Sequence, residues 1–372
     1  MKSDYRLPYP RKKLARGVAR ALGRPLLRLL CKVHISGREN FPKRGPLLIV
    51  GNHVAVMEAV MMAVFTPWQV ELLGAGDIPH ERITQFVSNF FGFIPVNRGH
   101  IDRSALTKAL DVLKQNGVIG VFPEGGIWDP GVMHAQTGVA WLSYHGQAPV
   151  LPVGFGDTIG ALGKALRLER PHLSMHIGKQ IPAAMPKMGM ARKTYFEAYA
   201  ERVLDAIQAL IPASEQTQTP QVENERFELL YKITDADGST VEIPADMKIQ
   251  HTIALAKLFH RPVVLKTLHF NLKLPIEVLQ DLERIPPASQ VVEATEAILN
   301  YLTQKNEYFL IYRFGPKEGE AMQLGLEELL HLAHWVDQQD LIIRFTPIRY
   351  YYNPESKEEI IQTRQEAFID WM

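Results

Sequence analysis

The chain has a single cysteine, Cys31, among 372 residues. No intramolecular disulfide can form, and a reducing compartment fits such a chain. It also lacks a run of about 20 apolar residues, the length a bilayer-spanning helix needs. The longest stretch free of Asp, Glu, Lys and Arg runs from Pro130 to Gly156, and prolines and glycines break it into helix, turn and strand. The first residues lack acids: Met1 to Lys32 holds 10 Lys or Arg against one Asp. Arg24, Arg28 and Lys32 interrupt its apolar stretch and no small-residue cleavage site follows, which argues against a secretory signal. A transit peptide would be equally basic but rich in serine, which this segment is not. No G-x-S-x-G occurs, and Cys31 lies in the basic stretch, so a serine or cysteine hydrolase is not expected.

What is present begins with charge asymmetry. After the basic start, Val33 to Pro220 carries 16 bases against 15 acids, and Gln221 to Met372 carries 15 against 24. Within residues 11–33 the cations Arg16, Arg20, Arg24, Arg28 and Lys32 recur every four positions, with Leu22, Leu26, Leu29, Leu30 and Val33 available for an apolar face. On a helix that is one basic stripe. Like charges four apart repel, so an anionic membrane surface is expected as partner, with these five cations its contacts, ahead of the plainer reading of a solvated helix packed on the domain. Pro25 predicts a kink or a division into two short helices. RNA binding has no supporting aromatics or motif, and no nucleic-acid partner is expected.

From residue 46 short apolar runs alternate with helical patterns. "PLLIVG", "QVELLGAG", "GFIPVNR", "VIGVFPEGG" and "APVLPVGFG" predict strands. Helices are expected after Asn52 as N-cap, around "RITQFVSNFF", over "DRSALTKALDVLKQNG" to Gly117, over "AQTGVAWLSYHG" and over "TYFEAYAERVLDAIQAL". This is an α/β pattern with a largely parallel sheet flanked by helices. Residues 211–224 read as a linker. "RFELLYKITDADGSTVEIP" then predicts a hairpin with "DADG" as its turn, opening a smaller acidic α+β domain over 225–372. Asp235 and Asp237 lack the distal acid of a calcium loop and read as a plain turn. The expected divisions are a basic membrane-surface helix at 1–33, the α/β domain at 34–210, the linker and the acidic domain, whose role the sequence leaves open.

"GNHVAVMEAV", residues 51–60, poses the chemical question. Five helical positions place His53 and Glu58 about 140° apart, so they meet only if the histidine stands at the non-helical entry. There Glu58 would hold one ring nitrogen and leave the other as a base. With no protein nucleophile beside it, such a pair would activate a substrate hydroxyl. Taken alone, H-x4-E is more often a solvated helix start. Arg98 at a strand end suits a phosphate clamp. Glu124, Gly125 and Gly126 fall at the C-terminal edge of the sheet, where ligands bind. Met57, Met61 and Met62 read as core, and His134 and His145 as ordinary polar positions.

Together these blocks resemble the glycerolipid acyltransferase family, which includes the 1-acylglycerol-3-phosphate acyltransferases. "NHVAVME" at Asn52 to Glu58 stands where the family has N-H-x4-D, Gly92 to Arg98 matches its G-x5-R strand, Phe122 to Gly125 its F-P-E-G block, and "VLPVGF" with Pro152 its fourth block. The likeness covers roughly residues 30–210. It implies His53 as general base and Glu58 as its orienting acid, with Asn52, Arg98, Glu124, Gly125, Gly126 and Pro152 about the acceptor. The donor would be acyl-CoA or acyl carrier protein, the acceptor a lysophospholipid, the place the inner face of the membrane, and no metal or redox cofactor is implied. Two positions depart from the pattern: Glu58 replaces aspartate, and Gly126 stands where a small hydroxyl residue is frequent. The alternative of another class is a lipid-binding protein on the same fold without turnover.

Overall fold

The structure is a computed structural model. It describes residues 7–75, 91–97, 101–125, 136–186, 190–215, 223–261, 264, 268, 272, 287–304, 307–354 and 356–363. Apart from short stretches outside those residues, the chain divides into one compact unit up to Thr219 and a second from Pro220.

The first unit contains α1 (Lys13–Leu30), β1 (Lys32–Ser36), β2 (Leu47–Gly51), α2 (Met57–Phe65), β3 (Val70–Ala75), β4 (Ile94–Val96) and α3 (Arg103–Lys114). β5 (Val118–Val121), α4 (Gly138–Gly146), β6 (Val150–Gly156), α5 (Ala161–Leu166), β7 (His172–Ile177) and α6 (Arg192–Gln208) complete it. Its seven strands lie in the order β1-β7-β6-β2-β5-β3-β4. β2, β3, β4, β5 and β6 run parallel, and β7 with β1 runs the other way. The central strands read as continuous apolar runs because both sheet faces are covered: all of β2, β5 and β6 is buried. One core packs Ala109, Val112, Leu142 and Val203 of α3, α4 and α6 against one face. The other packs Met57, Met61, Met62, Ala161 and Ala165 of α2 and α5, with Cys31 after α1, against the opposite face. The methionines are thus core.

Several local expectations are corrected. Asn52 is not an N-cap. α2 starts at Met57, and the carboxylate of Glu58 in its first turn accepts from the Ala55 backbone N–H at 3.0 Å. A first-turn carboxylate thereby reaches back to backbone N–H groups ahead of the helix, much as the acid of a capping box does. α1 is one helix with Pro25 inside it rather than two. α3 ends before Gly117, where Asn116 takes the left-handed conformation at φ 56. The helix expected around 82–91 lies almost wholly outside the described residues.

The second unit has β8 (Glu223–Thr234), α7 (Thr252–Phe259), α8 (Ala288–Gln304), α9 (Phe309–Phe314), α10 (Pro316–Gln338), β9 (Ile342–Asn353) and β10 (Glu358–Thr363). It is α+β, its three strands antiparallel in the order β10-β9-β8. The "DADG" turn forms, with Gly238 at φ 85 and its N–H bonded to Asp235 O at 3.1 Å. The hairpin beyond it does not: only Thr234 and Thr240 bridge, and β8 pairs instead with β9 along its length. β8 also begins at Glu223, inside the expected linker.

Candidate functional site

Three strand ends on the C-terminal edge of the parallel sheet build the site. After β2 come Asn52 and His53, after β5 Phe122 to Gly125, and after β6 Asp157 and Thr158. The first and third are clasped together. Asn52 Nδ2 donates to Phe155 O at 2.9 Å, and Phe155 N donates to Asn52 Oδ1 at 2.8 Å. Gly51 allows this approach, since a Cβ there would lie 2.5 Å from the Phe155 ring. Asn52 is buried at 5% exposure with both amide atoms engaged, so it shapes the strand end rather than facing a ligand.

His53 stacks on Phe122, ring centroids 4.2 Å apart and planes 19° from parallel. Its Nδ1 lies 3.4 Å from Glu58 Oε2, the histidine side chain 18% exposed and the carboxylate fully buried. That separation is long for a hydrogen bond but usual for a site without substrate. The turn over residues 53–56 places the histidine outside the helix, which is how positions five apart meet. The arrangement has a partly exposed imidazole, a planar apolar platform against it and a buried carboxylate behind it.

Glu58 is fully buried without a cation. Neutral donors hold it: Ala55 N, Val54 N at 3.4 Å and the Thr158 hydroxyl at 2.5 Å. Glu124 is also buried, and its Oε1 accepts from His53 N at 3.2 Å. Burial pushes its pKa up to about 8, with the nearby Glu58 adding to the rise and the His53 N–H opposing it. At neutral pH Glu124 is mainly an uncharged donor. Gly125 closes the turn at φ 73, its N–H bonded to Phe122 O at 2.9 Å, a backbone that favours glycine. Pro152 sits within β6 opposite Val50, and its carbonyl accepts from Gly178 N at 2.9 Å. It belongs to the sheet interior. Arg98 and Gly126 lie outside the described residues. No cluster of three metal-binding side chains occurs among the described residues.

The basic stripe of α1 faces inward, contrary to expectation. Arg16 is fully buried, paired to Glu71 at 2.5 and 2.8 Å, and Arg11 reaches the same carboxylate at 2.7 Å. Arg20 donates to Thr66 O, and Arg24 to Val64 O at 2.8 Å, capping the end of α2. Only Arg28 and Lys32 of the five cations are exposed. The residues turned outward are Leu14, Val18, Leu22, Leu26 and Leu29, all more than half exposed. Four-residue spacing fixed that two stripes exist. Glu71 and the open carbonyls at the end of α2 decided which one turns inward.

Thr158 and Phe122's stacking role escaped the sequence analysis. Their only signal was position just beyond a parallel strand's C-terminal end, which many polar and aromatic residues share.

An acyltransferase family model matches residues 32–156. A 1-acyl-sn-glycerol-3-phosphate acyltransferase of Borreliella burgdorferi is 31% identical over 96 residues, 25% of this chain and 38% of that one. One of Bacillus subtilis is 23% identical over 132 residues, 35% of this chain and 65% of that one. The chain thus spans less than two thirds of the length of each. A solved 1-acyl-sn-glycerophosphate acyltransferase from Thermotoga maritima aligns at TM-score 0.42 and 18% identity, over 57% of this chain and 86% of its own.

Proposed function

We propose that this chain, whose residues 32–156 match an acyltransferase family model, moves a fatty acyl group from a thioester to the hydroxyl of a lysolipid. The donor is acyl-CoA or acyl carrier protein. The acceptor is a glycerol phosphate bearing one chain, the substrate that the curated relatives' names give for those proteins.

The observation that carries the proposal is the His53–Glu58 pair at the rim, with Nδ1 turned to a buried carboxylate. Nε2 then takes the acceptor's hydroxyl proton. The oxygen bonds to the thioester carbonyl carbon, and the tetrahedral intermediate collapses as the carbon–sulfur bond breaks. The departing thiolate recovers the proton from His53. Glu58 fixes the tautomer and stabilises the imidazolium formed in passing. Glu124, held uncharged, adds no negative charge against an anionic acceptor, and Gly125 lets the acceptor approach the backbone. Arg98 and Gly126 are proposed acceptor contacts from the family pattern alone.

The same reading places the protein peripherally on the inner face of the membrane. No described helix is long and apolar enough to cross one. The exposed leucine stripe of α1 supports contact by insertion. Each leucine moved from water contributes on the order of 1.5–3 kcal/mol, against about 1 kcal/mol for each cation near anionic headgroups. Arg28 and Lys32 are therefore secondary contacts.

The test is transfer of labelled acyl-CoA to lysophosphatidate presented in vesicles. A labelled diacyl product that disappears in His53→Ala supports the reading. Turnover of His53→Ala within a few-fold of the native chain, with any acceptor, would falsify it.

A further inference from the structure

Thr158 lies two residues beyond the end of β6, 100 positions from Glu58 in the chain, yet its Oγ1 is 2.5 Å from Glu58 Oε1. Both side chains are buried, Thr158 at 2% exposure and Glu58 at 0%. Its backbone carbonyl accepts from Ala161 N at 3.2 Å as α5 begins. The Asn52–Phe155 clasp fixes the end of β6 beside the end of β2, so the sheet itself sets where this hydroxyl stands. Thr158 belongs to none of the blocks that carry the family resemblance.

The two oxygens of Glu58 have different work. Oε2 faces His53 Nδ1 and shares the Ala55 N–H, while Oε1 takes the Thr158 hydroxyl and the Val54 N–H. The terminal torsion of a glutamate is soft, with no deep staggered wells. A glutamate also has one more rotatable bond than the aspartate of the family pattern. Left alone, the carboxylate would swing its oxygens away from the imidazole. A donor fixed on the far oxygen stops that swing.

We propose that Thr158 is a positioning residue for the reaction, its hydroxyl locking the longer Glu58 side chain in the orientation that engages His53. The inference rests on the reading of His53 as base and deepens it. It also explains how a glutamate serves here: the extra methylene is accommodated by a second anchor from β6.

Four variants test it in the full chain: Thr158→Val, Thr158→Ser, Glu58→Asp and the double variant Glu58→Asp with Thr158→Val, beside His53→Ala. Thr158→Val should lower kcat by roughly ten- to a hundred-fold, the scale of a misplaced catalytic group, with KM within about two-fold. Thr158→Ser keeps the donor and should recover kcat to within about three-fold. In Glu58→Asp the shorter carboxylate withdraws from the hydroxyl, so adding Thr158→Val should cost less than about three-fold more. Melting temperatures are measured alongside, and Thr158→Ala replaces Val if the latter does not fold. A native kcat in Thr158→Val, a loss confined to KM, no recovery with Ser, or losses that multiply in the double variant each overturn the proposal. If His53→Ala is inactive while Thr158→Val is native, only the role of Thr158 falls. If His53→Ala is active, the base assignment falls and takes this inference with it.

Discussion

The acid-rich part of the molecule and its acid-poor part treat carboxylates in opposite ways. From Gln221 onward acids outnumber bases 24 to 15, yet among the described residues of that unit no Asp or Glu is buried. The first unit has fewer acids and buries Glu58, Glu71, Asp111 and Glu124. Burying a charge is unfavourable unless something compensates it, and the three buried glutamates are accommodated in three ways. Glu71 is compensated by two guanidinium groups, Arg11 and Arg16, and anchors α1. Glu58 has neutral donors and the His53 ring. Glu124 escapes the cost by holding its proton. Three solutions to one problem separate an anchor from a site.

The comparison breaks first at Glu58. On the proposed reading Glu58→Gln keeps volume but cannot stabilise the imidazolium, and turnover should fall several hundred-fold or more, about 4 kcal/mol of transition-state stabilisation. Lysophosphatidate turnover measures it. A native rate would place Glu58 with Glu71 as structure.

Arg16→Met should leave Glu71 buried with less compensation and destabilise the first unit by about 3–5 kcal/mol, read from urea unfolding. On the proposed reading the folded variant should transfer acyl groups at the native rate, so the two carboxylates part: one variant loses rate, the other loses stability.

Glu124 adds a pH signature. Its folded pKa, about 8, stands above the usual 4.5. Below pH 4.5 the folded and unfolded states are both protonated there, and the group contributes no difference. Between 4.5 and 8 the unfolded chain has released a proton that the folded one keeps, so stability falls as pH rises, by up to about 1.4 kcal/mol per pH unit. Above 8 the slope ends. Unfolding at pH 5, 6, 7 and 8 should show this decline, and Glu124→Gln should flatten it.

The smallest effect belongs to the second unit. Glu328 accepts from Gln250 N, His251 N and the His251 ring at 2.8–3.0 Å at the start of α7, but stays 26% exposed. Glu328→Gln should cost about 1 kcal/mol in unfolding and leave acyl transfer unchanged. A fall in turnover would tie the acidic unit to the reaction.

The sequence by itself determined the alternation of buried strands and helices, because a strand covered on both faces must be apolar throughout, as "LLIV" of β2 is. It determined His53 and Glu58 as a pair to examine, since a non-helical entry is the one geometry that lets them meet. It did not determine where α2 starts, because the acceptor for the backbone N–H groups at its entry is the Glu58 carboxylate from within the helix rather than Asn52. It could not find Thr158, whose role exists only because β6 lies beside β2, a contact between residues 100 positions apart. Nor could it orient α1. Periodicity gives two faces of one helix, and only the buried Glu71 and the carbonyls of Val64 and Thr66, all contributed from elsewhere in the fold, turned the arginines inward and the leucines out.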